Sequence, residues 1–265
     1  MKKIISAIIL IPLLIFGFYA HGEISEANSV KSEKFGAITR IKLGSVNIFL
    51  LKAAGGYLLI DTAFAESYGD FKNAMKSLDI EPSEIRYILL THHHDDHAGF
   101  AADLVRESGA TLIVHEKALG PLAQGKSLDD VLPANLCTEK VFKTFTALKE
   151  KKYNDFAYPP VHLRRGDIVI KGDNGSLLKS IGIEGKILYT PGHTDDSLSV
   201  ILADGSAFVG DVAMNIMGIC GLNHRPIYAK NMSTVFRSWE KLLSGGAIKI
   251  YTSHGEPFDA ENLNQ

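Results

Sequence analysis

Apolar residues along this chain fall mostly into short alternating or continuous runs, punctuated by Gly, Asp and Pro. That pattern predicts strands with interspersed short helices. Residues 37–43 alternate, 46–52 are rich in aliphatic residues, Gly55-Gly56 reads as a turn, and 57–60 form another strand ending at Asp61. Phe71, Met75 and Leu78 recur at helical spacing within 68–78. Residues 85–90 are a buried-strand run that stops at Thr91-His92, followed by a predicted helix at 98–108 and a strand at 111–114. Further strands are predicted at 162–164, 168–170, 186–189, 198–202 and 207–209, with Asp204-Gly205 as a hairpin turn. An amphipathic helix at 232–243 (Val235, Trp239, Leu242, Leu243) precedes a final strand at 248–251. Strands alternating with helices, and polar clusters at strand ends, define an α/β architecture.

Two stretches break the rhythm. Lys2 and Lys3 precede an apolar run from 4 to 18 and then Ala20-His21-Gly22. This segment, 1–22, reads as a secretory signal peptide or an uncleaved membrane anchor, and either places the body of the protein outside the cytoplasm. Residues 23–36 read as a linker, and 37–265 as the folded domain. The second stretch, 116–160, has no strong strand and closes on Pro159-Pro160; it reads as a helical, lid-like insertion. Apolar residues there and in the loop after 213 (Leu122, Leu132, Phe142, Phe145, Tyr158, Ile216, Met217, Ile219) either line a pocket or pack the segment onto the domain.

The 265 residues suffice for one large domain. A formal net charge of −2 with no basic stripe argues against nucleic acid as a partner. The two cysteines, Cys137 and Cys220, are too few and too far apart for a zinc finger. In an exported protein they either form one disulfide or stay separate thiols.

The chemistry concentrates in residues 91–99, THHHDDHAG. Three His and an Asp (His92, His94, Asp96, His97) in six positions are poor core formers. They offer imidazole and carboxylate donors suited to Zn, Fe or Mn. His193, Asp211 and His254 each follow a predicted strand. If those strands are neighbours, their ends converge on one rim with the first cluster.

This order, His-x-His-x-Asp-His, then His, Asp and His, resembles the metallo-β-lactamase superfamily, and most of all its glyoxalase II and lactonase branch. The matching pieces are THHHDDHAG, TPGHT (190–194), FVGD (208–211) and SHG (253–255), and the match runs from about 37 to 257. The resemblance implies a four-layer αββα sandwich with a helical insertion. It implies that His92, His94 and His193 hold one metal, that Asp96, His97 and His254 hold a second, and that Asp211 bridges them. Asp61 would orient the ligand loop through hydrogen bonds. His93 and Asp95 fall at variable positions, and Asp195-Asp196 stands where relatives commonly have Pro-Gly.

The expected function is an exported hydrolase with two divalent ions, zinc first and iron or manganese as alternatives. It would act on a small molecule with an ester, thioester, lactone or amide bond. A metal-bridging hydroxide would attack, and Asp96 would serve as the catalytic group that orients it or shuttles a proton. The alternatives are a mononuclear iron sulfur dioxygenase and a phosphodiesterase of the same fold.

Overall fold

The computed structural model describes residues 30–127, 131–148 and 156–264; the predicted leader at 1–22 lies outside them. Among the described residues, strands β1 (Val30–Phe35), β2 (Ile38–Leu43), β3 (Val46–Ala53), β4 (Gly56–Ile60), β5 (Ile85–Leu89), β6 (Thr111–His115) and β8 (Ile168–Ile170) make one sheet in that spatial order. A second sheet has the order β14 (Phe258–Asp259), β13 (Lys249–Tyr251), β11 (Ser206–Phe208), β10 (Leu198–Leu202), β9 (Gly185–Tyr189). A two-stranded ribbon pairs β7 (Leu132–Pro133) with β12 (Tyr228–Ala229). The helices are α1 (Tyr68–Ser77), α2 (Asp95–Ala98), α3 (Ala101–Ser108), α4 (Leu119–Gln124), α5 (Leu136–Leu148), α6 (Leu177–Ser180) and α7 (Met232–Ser244).

The period-two alternation of side chains builds three apolar layers. Phe49, Leu51, Leu89 and Ile113 of the large sheet meet Ile187, Leu198, Val200 and Phe208 of the small one. On the outer face of the large sheet, Ile48, Leu50, Ile88, Leu112 and Val114 receive Phe71 and Met75 of α1 and Leu104 of α3. Outside the small sheet, Ala207, Val209 and Ile250 receive Val235, Trp239 and Leu242 of α7. The molecule is therefore an αββα sandwich, as expected.

Several expectations need correction. Residues 30–35 of the predicted linker are strand β1, in antiparallel register with β2 from Val30↔Leu43 to Phe35↔Ile38. The polar composition of β1 fits its place at the sheet edge, where its residues are largely exposed. The predicted strand at 162–164 is not formed, and 248–251 is not the last strand because β14 pairs back onto it. Both ends of the predicted lid are part of the body: Leu122 of α4 and Tyr158 are buried in the layer beneath α1 and α3.

The β7–α5 segment is tied down twice. β7 pairs with β12, and Cys137 forms a disulfide with Cys220 across 83 residues of sequence.

Candidate metal centre

Parallel strands deliver the polar residues to one rim. β4 and β5 run in parallel register (Ile60↔Leu89), and Asp61 and Thr91–His92 follow directly from their ends. β11 and β13 are also parallel, with Phe208 opposite Tyr251. Asp211 and His254 each lie three residues further on, so adjacent strands set them side by side. β9 runs antiparallel to β10, which is antiparallel to β11. His193 therefore leaves its sheet in the same direction as Asp211.

The seven predicted residues come together as two groups: His92, His94 and His193, and then Asp96, His97, Asp211 and His254, the donor atoms of each lying within 4.8 Å of one another. In the first group His94 Nδ1 is 3.0 Å from His92 Nε2 and 3.1 Å from His193 Nε2. In the second, His254 Nε2 is 3.1 Å from Asp96 Oδ2, and His97 Nε2 is 3.6 Å from Asp96 Oδ1. Asp211 lies between the groups: Oδ2 is 3.7 Å from His193 Nε2 and 3.5 Å from His254 Nε2, while Oδ1 is 3.4 Å from His97 Nε2.

Hydrogen bonds on the far side of the rings decide which nitrogen faces inward. Thr91 Oγ1 donates its one proton to Asp61 Oδ2 (2.8 Å), so toward His92 Nδ1, at 3.1 Å, it can only accept. His97 Nδ1 donates to Asp61 Oδ2 (2.9 Å), His193 Nδ1 to the Tyr228 carbonyl (2.8 Å) and His254 Nδ1 to the Ser45 carbonyl (3.0 Å). Each bond turns its ring so that Nε2 points into the site. Asp61 also accepts the Thr91 backbone N–H at 2.6 Å, as the resemblance implied. It holds this position with φ +61°, an uncommon conformation for a non-glycine residue. Gly210, at φ +54°, admits Thr91: a Cβ there would lie 2.5 Å from Thr91 Oγ1.

The two groups differ in charge. Burial, and then the neighbouring His97, His94 and His193, hold His92 well below the ordinary imidazole range. Burial and His94 lower His193 to about 4. In the second group burial again opposes charge, but ion pairing wins. Asp211 and Asp96 raise His254 to about 10, and His97 and His254 lower Asp96 to about 2. Asp211 is held well below the carboxylate range by His254 and His97, against its own burial.

Divalent cations fit this donor set. In the first group three inward nitrogens crowd together, and a single proton on His94 Nδ1 can bridge only one of the two short contacts. In the second, His97 Nε2 and Asp211 Oδ1 are buried without a hydrogen-bond partner, an arrangement that a shared cation would satisfy.

Sequence reading missed the outer supports. Tyr228 and Ser45 contribute backbone carbonyls, which carry no side-chain signature. Asn47 holds the His254 loop through Nδ2 bonds to the carbonyls of Thr252 (3.2 Å) and Gly255 (2.8 Å). His93 Nδ1 meets Asp196 Oδ1 at 2.9 Å, both side chains buried. Burial opposes ionisation of Asp196, but the hydrogen bonds from His93 and Thr194, together with the neighbouring imidazoles, outweigh it and lower its carboxyl. Arg164 is engaged with the Ala110 carbonyl and Asp167. His224 stacks on Phe258 with ring centroids 3.8 Å apart. Leu132 and Ile219 are exposed, and the side chains of Phe142 and Phe145 lie outside the described residues.

The fold and the rim of histidines and aspartates define a class. The family model of the metallo-β-lactamase superfamily matches residues 41–254, and the chain belongs to that superfamily. It is 24% identical to a lactamase-like protein of Pestalotiopsis microspora, over 84% of this chain and 52% of the relative. It is 24% identical to a β-lactamase-like protein 2 homologue of Caenorhabditis elegans, over 84% and 63%. It is 25% identical to a hydroxyacylglutathione hydrolase of Rhodopseudomonas palustris, over 67% and 51%. The chain thus spans between about half and five-eighths of the length of these curated relatives. Among solved structures, the fold is similar to a subclass B3 metallo-β-lactamase of Bradyrhizobium japonicum, with TM-score 0.59, 23% identity and coverage of 87% of this chain and 80% of the other. It is also similar to a metallo-β-lactamase of Cronobacter sakazakii with a HARLDQ motif, with TM-score 0.60, 21% identity and coverage of 88% and 81%.

Proposed function

We propose that this protein is a metal-dependent hydrolase that uses two divalent cations, zinc first, to cleave an ester, thioester, lactone or amide bond in a small molecule. The observation that carries the reading is Asp211, whose carboxylate faces His193 with one oxygen and His97 with the other. His92, His94 and His193 would hold one ion, Asp96, His97 and His254 the other, with Asp211 shared. Bound ions supply Lewis acidity and bring the pKa of water toward neutrality.

The protein's own residues supply position and proton handling. Asp61, Thr91, Tyr228 and Ser45 hold the imidazoles in the tautomers that face inward. Asp96 is the most exposed side chain of the second group, at 18% against 4% for Asp211 and 11% for His254. Its carboxylate is kept ionised at neutral pH, so it can accept a hydrogen bond from the attacking water and orient it.

We also propose that the protein works outside the cytoplasm. The apolar N-terminal run supports this, and so does the Cys137–Cys220 disulfide, since such bonds persist in oxidising compartments.

The test is metal analysis of the purified protein beside a hydrolase screen on esters, thioesters, lactones, amides and phosphodiesters. About two ions per chain, and turnover on one of the first four classes lost with Asp211→Asn, is expected. One iron per chain with oxygen uptake on a persulfide, or turnover confined to phosphodiesters, would replace the reading with another activity of the same fold.

A further inference from the structure

We propose that the buried His93–Asp196 pair is a brace between the two loops that carry the three-histidine group, a positioning pair that sets that group's metal affinity. The proposal rests on reading the group as a metal site. His93 lies between His92 and His94 in the chain, and Asp196 lies three residues beyond His193. Their 2.9 Å hydrogen bond therefore joins, across 103 residues of sequence, the loops that supply all three nitrogens. Neither side chain is among the residues that converge on the two groups.

The surroundings concentrate restraint on the same few peptides. The His93 carbonyl accepts from Tyr158 Oη at 2.6 Å, and the Thr91 carbonyl accepts from the Leu198 N–H at 2.8 Å. The 91–94 segment is thus held from the 194–198 loop and from the end of the inserted segment.

His94 is the donor most sensitive to this clamp. It faces the group through Nδ1, the ring nitrogen nearest its own backbone, so its position follows the peptide that links it to His93. Stability alone is a poor reason for such a pair. Removing two polar groups from water offsets most of what their attraction contributes, and packed apolar residues commonly do as well. Residues that hold metal ligands in place, by contrast, commonly change affinity about 10–100-fold when replaced.

The experiment measures zinc stoichiometry and affinity by competition with a chromophoric chelator, on wild type, Asp196→Leu, His93→Leu, His93→Asn and the double variant His93→Leu/Asp196→Leu. Folding of each metal-free protein is checked by circular dichroism at the temperature of the titration. Asp196→Leu and His93→Leu, each of which removes one partner of the hydrogen bond, should each weaken one of two ions about 10–100-fold. His93→Asn, whose side-chain N–H can replace Nδ1–H, should stay near wild type. The double variant should lose no more than the worse single one. If a single variant does not fold, the double variant leaves no unpaired buried charge, and its affinity decides. Folded variants with wild-type affinity, or His93→Asn as weak as His93→Leu, overturn the brace while leaving the metal-site reading intact. A wild-type protein that takes up no ion overturns both.

Discussion

Asp61 shows how much a residue outside the donor set can control. One of its oxygens receives the Thr91 backbone N–H, and the other receives Thr91 Oγ1 and His97 Nδ1, with Ser253 Oγ 3.5 Å away. All of these donors need an acceptor, and an amide at this position would turn an N–H toward one of them. Asp61→Asn should therefore keep the fold but weaken metal binding about 10–100-fold, chiefly in the group containing His97. Isothermal titration of the metal-free variant measures this, and wild-type affinity would remove Asp61 from the site's support. The run 91–99 was legible from sequence because its donors are side chains packed into a few positions. The Tyr228 and Ser45 carbonyls were not legible, because any residue can offer one. His93 was set aside as a variable position and Asp195-Asp196 carried no assigned consequence; only folding brought His93 and Asp196 together.

At the scale of elements, the β7–β12 ribbon links the inserted segment to the site. Tyr228 of β12 faces Pro133 of β7, and its carbonyl receives His193 Nδ1. The Lys230 N–H also binds the His193 carbonyl at 3.0 Å. The disulfide fixes α5 near its N-terminus to the short turn before β12, where Asn135 Nδ2 also bonds the Cys220 carbonyl at 3.0 Å. Closing a loop of this size restricts the unfolded chain by up to about 4–5 kcal/mol. Cys137→Ser/Cys220→Ser should lower the melting temperature by several degrees and increase hydrogen exchange at 226–231, with the two central sheets unchanged. Unchanged exchange there would show that the ribbon holds without the bridge. Sequence allowed the bridge but did not decide it, because two cysteines 83 positions apart meet only if the segments between them fold back.

For the whole molecule, the site is a seam between two sheets. Asp61 and residues 91–97 come from the large sheet, and His193, Asp211 and His254 from the small one, so bound ions would clamp the layers together. Ligands that bind only the folded state stabilise it by about 2.7 kcal/mol each at a hundredfold excess over Kd. Chelation should accordingly lower the melting temperature by roughly 5–11 °C per ion, restored by adding zinc back. Calorimetry before and after chelation measures it, and identical curves would mean that no ion bridges the sheets.

The sequence pattern by itself determined an α/β architecture with polar residues at strand ends, and the resemblance to the superfamily implied the αββα layering and the set of seven donors. Alternation marks which face of a strand is buried, and histidines beyond an apolar run have few other uses. The N-terminal boundary was misread, because an exposed edge strand such as β1 has the composition of a linker. Tertiary structure alone decided which backbone carbonyls set the tautomers and that His93 meets Asp196, and it brought the donors together in the groups that the resemblance implied. Those are contacts between segments tens to hundreds of residues apart. Their distances depend on sheet register and packing, which no local pattern encodes.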